Sequence, residues 1–241
     1  MDNRLRLTAP FALIAALAFA GCSAPAEPSE PAGDSTPAAE SPAEETPAEE
    51  EAPAEEAADV ATLEGYVESA GLTLIDIEAQ GGLDALTAAT DGMTIEPAEC
   101  AALIEGSLAL AKDNDAALAV GSDAGTGIVG GLTSYADPAV IDQALAQSEA
   151  VGSGTCSNLT ITLPDGTETT STTELVDTTV NGADSAYAVR TVTVVQGTET
   201  PSVSVTAAVG NIIATGTSIM GDDATAATAV VQKLVDAVTA G

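Results

Sequence analysis

Pro201-Ser202-Val203-Ser204-Val205-Thr206-Ala207-Ala208-Val209-Gly210-Asn211-Ile212-Ile213-Ala214-Thr215-Gly216-Thr217-Ser218-Ile219 reads as two strands and the turn between them. Val203, Val205, Ala207 and Val209 alternate with their neighbours, which puts them on one face of an extended chain. Gly210-Asn211 then reverses the chain, because glycine reaches the positive φ that a tight hairpin turn demands. Residues 212–219 return alongside, and strands joined so closely pair antiparallel.

The same signals extend outward. Residues 187–195 are rich in branched residues and form a further strand. Asn181-Gly182 marks a reversal between it and 168–180, and Pro164-Asp165-Gly166 is a turn that follows a strand at 159–163, with Cys156 leading in. Downstream, Asp222-Asp223 can cap a last helix over 223–239, with Val230, Leu234, Val235 and Val238 facing the sheet. Upstream, Val60, Leu63 and Val67 predict a helix over 60–70, followed by a strand at 72–77 and a short helix at 83–89. Pro97 fits the first turn of a helix running to 111, with Cys100, Leu103, Ile104 and Leu108 inward. Strands at 116–120 and 126–134 flank a glycine-rich stretch. Asp137-Pro138 supplies a cap and a first-turn proline for a helix over 138–149 that carries Val140, Ile141, Ala144 and Leu145. The expected class is α+β, one domain over 60–241 with a curved antiparallel sheet and helices packed on it.

Ahead of that domain the composition changes. Arg4 and Arg6 precede an almost wholly apolar run over 7–20. That run is shorter than the roughly 20 residues a bilayer span needs, and it fits a signal peptide over 1–21. Ala18-Phe19-Ala20-Gly21-Cys22 resembles the lipobox of bacterial lipoproteins. The resemblance implies that Cys22 becomes the first mature residue and carries the lipid, each buried CH₂ contributing ~0.8 kcal/mol to anchoring. Residues 22–59 are Pro, Ala, Glu, Ser and Thr with no apolar pattern, which predicts a disordered acidic linker with a coil span of roughly 35 Å.

The formal net charge is −32. Nucleic acid is excluded as a partner, since phosphates need basic patches, and so is adsorption to anionic headgroups. Such a surface fits a salt-rich habitat. Histidine is absent, so Ser-His-Asp and Cys-His catalytic units are excluded and no catalytic residue is assigned. Tryptophan is absent too, which removes the usual platform for a sugar ring, and the aromatics beyond residue 21 are Tyr66, Tyr135 and Tyr187. With Cys22 used by lipid, Cys100 and Cys156 are left to pair in an oxidising compartment, the alternative being two buried free thiols. By chain entropy such a bridge contributes roughly 4 kcal/mol. Two cysteines and no histidine make a poor zinc site, and no metal or cofactor is expected.

Three short motifs lead nowhere. Gly125-Thr126-Gly127-Ile128-Val129-Gly130 matches the dinucleotide fingerprint, but no helix opens there to meet a pyrophosphate. Asp113-Asn114-Asp115 starts like a calcium loop but lacks the glycine and the distal glutamate. Asn158-Leu159-Thr160 is a chance glycosylation sequon. Arg190, the only arginine beyond Arg6, sits mid-strand. It is either a sheet-face arginine paired with carboxylates or an anion handle for a ligand.

Several of these features occur together elsewhere. Glu96-Pro97-Ala98-Glu99-Cys100 opens a helix, Cys156 follows the helix after Asp137, and the Gly210-Asn211 hairpin lies between Val209 and Ile212-Ile213, with a terminal helix over 226–238. In this pattern 60–241 resembles the PknH-like extracellular sensor domain of actinobacterial receptor kinases and lipoproteins. The resemblance implies an antiparallel sheet, helices and a ligand cleft without catalysis. The expected function is thus a cell-envelope lipoprotein on the extracytoplasmic face of the membrane. Cys22 lipid holds it there, and a non-catalytic sensor-like domain binds an unknown small molecule, lipid or envelope protein. The alternative is a lipid or glycolipid carrier resembling LppX- and LprG-type lipoproteins, whose curved sheet encloses an apolar cavity. A hydrolase is a third, weaker reading.

Overall fold

The structure, a computed structural model, describes residues 57–241 other than Met220 and Asp223. The signal peptide, Cys22 and the linker up to residue 56 lie outside the described residues, as do Asp223 as a cap and the side chains of Ile104 and Leu108. In chain order the elements are α1 (Val60–Ser69), β1 (Thr73–Ile75), α2 (Gly82–Thr90), β2 (Thr94–Glu96), α3 (Ala101–Asp113), β3 (Ala117–Ser122), β4 (Val129–Ser134) and α4 (Pro138–Ser153). Then come β5 (Asn158–Thr162), β6 (Glu168–Val176), β7 (Ser185–Val195), β8 (Thr198–Val209), β9 (Ile212–Ser218) and α5 (Ala224–Ala240).

All nine strands join one sheet in the order β1-β3-β4-β9-β8-β7-β6-β5-β2. Every ladder is antiparallel. The hairpin at 201–219 is its centre: Val209 faces Ile212, and Gly210 takes φ +55 at the first turn position. Pro164-Asp165-Gly166 turns as expected, with Gly166 at φ +82 and the Asp165 carboxylate accepting from the Thr167 amide. The Asp137 carboxylate caps α4 through the Ala139 amide at 2.9 Å. Pro97 stands just before its helix instead of inside the first turn. A further hairpin at Gln196-Gly197, both with positive φ, starts β8 three residues before Pro201. β9 ends at Ser218 opposite Val203, so Pro201 has a strand neighbour on the β7 side only, where a missing donor is tolerated.

Helices lie on both faces of this sheet, and the two sets overlap over β8 and β9. On face one, α1 and α5 cover β1, β3, β4, β9 and β8, and Leu63, Val67, Val230, Val231, Leu234 and Val235 pack on Leu132, Val203, Val205 and Ala214. On face two, α4 lies over β8 and β9 through Val140, Ile141 and Ala144 against Ala208 and Ile213. A smaller cluster of Ile95, Cys100, Leu103 and Cys156 joins α3 to β5 and β2 on the same face. Each fully buried aliphatic of these layers contributes about 1.5–3 kcal/mol.

The expected curvature is absent. The sheet is neither strongly curled nor closed: β1 and β2 are its two outer edges, and each has one strand neighbour. Closure needs the edges to pair, and both edge strands are three residues long. Helices loading both faces, back to back over β8 and β9, give the sheet no single side to wrap around. The carrier alternative, which required a curved sheet around an apolar cavity, loses its premise with that curvature.

Candidate functional site

The chain enters the domain at a fixed point. The Ala58 amide donates to the buried Ser134 hydroxyl at 2.9 Å, and the Asp59 carboxylate caps α1 through the Thr62 amide at 2.8 Å. Any tether preceding residue 57 is therefore attached beside the end of β4.

Arg190 lies in β7 on face one, at the limit of the helix-covered half. Its Nη1 donates to Glu174 Oε1 at 3.0 Å and its Nη2 to Asp222 Oδ2 at 3.4 Å. Glu174 is its cross-strand partner in β6, and Asp222 leads into α5. The hydrogen bond to Glu174, ahead of the pull of Asp222, holds the guanidinium above its ordinary pKa. An anionic ligand at Arg190 would have to displace a carboxylate already bound. Beyond Arg190, no helix among the described residues covers β6 and β5 on face one. Thr170, Thr172, Glu174 and Asn158 are exposed there, beside the half-buried Val192 and Val194. This bare quarter of the sheet, bordered by Arg190, is the candidate surface.

The other two cations of the described residues are engaged as well. Lys112 meets Asp84 at 2.8 Å, and Lys233 meets Asp123 at 3.7 Å. The pair with Lys112 lowers the pKa of Asp84 and raises that of Lys112. Lys112 and Asp84 also line an open cleft of about 390 Å³ with Glu78 and Asp115. Asp123, in the β3–β4 turn, accepts from the Thr126 and Gly125 amides, which lower its pKa. The glycine-rich motif is thus a hairpin turn running into β4, with no helix behind it.

Cys100 and Cys156 are joined by a disulfide, buried against Ile95 and Leu103. Asp113 ends α3, Asn114 donates to the Leu110 carbonyl, and Asp115 stands at φ +47. Among the described residues no cluster of three or more Cys, Asp or Glu could hold a metal, and no helix is long and apolar enough to cross a membrane. Sequence reasoning passed over Lys112, Lys233 and their partners. The lone lysines in an acidic chain were the available signal, but which carboxylate each meets depends on the fold.

No protein-family model matches the chain, and no curated protein matches it. Among solved structures, the chain is similar to an uncharacterized protein of Mycobacterium smegmatis, the Rv0999 ortholog. The identity is 14%, with 61% of this chain and 77% of the other covered at a TM-score of 0.33. So loose a likeness assigns neither family nor function.

Proposed function

We propose that the chain is a cell-envelope lipoprotein whose domain over 60–241 is a non-catalytic, sensor-like binding module on the extracytoplasmic face. Cys22 is the lipidated residue and 22–59 the acidic spacer. The PknH-like resemblance supplies the sensor reading. The observation that carries the placement is the Cys100–Cys156 disulfide, because such bonds persist in oxidising compartments and are rare where thiols are kept reduced. With every described cation already paired, an anionic ligand would have to compete with a carboxylate at Arg190, Lys112 or Lys233.

Feeding an alkyne fatty acid to bacteria that express the protein tests the placement. Label on the wild type, lost together with membrane retention in Cys22→Ser, is the expected result. Unlabelled protein that stays with the membrane would end this reading.

A further inference from the structure

The segment 76–116 makes an unusual journey. It leaves β1 at one outer edge of the sheet, contributes β2 at the opposite edge, and returns to β3 beside its starting point. With strands about 4.8 Å apart, that is a crossing of roughly 38 Å outward and roughly 34 Å back. On the return, α3 packs on β2 and β5 of face two at its start and against α4, on the same face, towards its end. Leu103 packs with Ile95, Leu159 and Ile161 near the far edge, and Leu110 joins the Val140 and Ile141 cluster over β8 and β9. The segment is therefore a strap across face two.

Its far end is held by little. β2 pairs with β5 over three residues, Thr94 to Glu96 against Thr162 to Thr160. The cluster beneath has four buried members, and two of them are Cys100 and Cys156. The main core on face one, under α1 and α5, shares no residue with it. The bond ties the strap, at the start of α3, to the turn that leads into β5.

We propose that Cys100–Cys156 is a redox-releasable clasp for this strap. Its reduction frees β2 and the start of α3 from the sheet while the rest of the fold persists. One dithiol becomes a disulfide, and its two electrons and two protons convert the bridge into two thiols. Release removes the cross-link and leaves the Ile95–Leu103 cluster too small to hold a three-residue strand. It also uncovers the outer edge of β5, an unpaired row of amides and carbonyls of the kind that accepts an added strand. The clasp does not depend on the lipid anchor.

The test is amide hydrogen exchange on the full chain carrying Cys22→Ser, oxidised and after reduction with dithiothreitol, with alkylation confirming both thiols. Residues 94–103 and 158–162 should lose protection by on the order of 100-fold, while 203–218 keep theirs. The double variant Cys100→Ala/Cys156→Ala should match the reduced protein. Unchanged protection at 94–103 with both thiols alkylated would overturn the proposal. Loss spread equally to 203–218 would overturn it too, since the bond would then hold up the whole domain.

Discussion

Gly130 lies directly opposite Gly216 across the β4–β9 ladder, and both sit directly under α5. A Cβ on Gly130 would come within 2.9 Å of Leu72 and Val230, and one on Gly216 within 2.8 Å of Val231 and 3.0 Å of the Ala227 carbonyl. Gly121 continues the row into β3, where a Cβ would meet Val67 at 2.7 Å. The three glycines form a smooth strip that lets α1 and α5 settle close to the sheet.

Gly216→Ala should therefore destabilise the domain by about 1–3 kcal/mol, because the Ala227 backbone cannot move aside as a flexible side chain can. Gly65→Ala, in α1 with nothing near its Cβ, should stabilise by about 0.5–1 kcal/mol. Urea denaturation of the two variants checks the contrast. A Gly216→Ala protein as stable as the wild type would show that α5 does not sit that close.

Removing the Arg190 side chain should lower the melting temperature only slightly, since the arginine is partly exposed and both of its carboxylates are well exposed to water. Thermal melts of Arg190→Ala in low salt provide the measurement. A loss several times larger would mean that the guanidinium holds the approach to α5 in place.

Acid should weaken the fold in a defined window. Asp59, Asp84, Asp123 and Asp165 are all held below the ordinary aspartate value of 3.8, by hydrogen bonds from Thr62, Lys112, the Thr126 amide and the Thr167 amide respectively. A lowered folded pKa means stability that is fully present above 3.8 and lost as pH falls through the lowered values. Melting temperature should hold between pH 7 and 5 and drop below about 4. Asp123→Asn should flatten that drop, and an unchanged acid profile in this variant would count against the Asp123 contribution.

Added salt should raise the melting temperature. With a formal net charge of −32 and the described cations already paired, what remains to be screened is mostly repulsion between carboxylates. A scan from low to about 1 M sodium chloride, where the screening length is ~3 Å, reads the effect. A falling melting temperature would show that the ion pairs outweigh the repulsion.

Much of the local structure was legible in short stretches. Gly210, Gly166 and Asp137 act within a few residues of themselves, through a positive φ or a side-chain cap, so their turns and helix start need no distant partner. The Gln196-Gly197 hairpin is equally local, yet it was hidden behind Pro201, which suggested that the strand began later. The pairing of Cys100 with Cys156 followed from compartment and elimination, without any geometry.

What the chain determined by itself was an antiparallel α+β domain with its elements near their places, because periodicity, caps and turns are short-range physics. The tertiary structure alone decided that β2 crosses to the far edge, that the sheet stays open, and that Gly121, Gly130 and Gly216 fall in one row. It also decided that Arg190 spends its charge on Glu174 and Asp222. Each of these depends on the register of strands far apart in sequence, which is set by how the two faces of the sheet divide the helices between them.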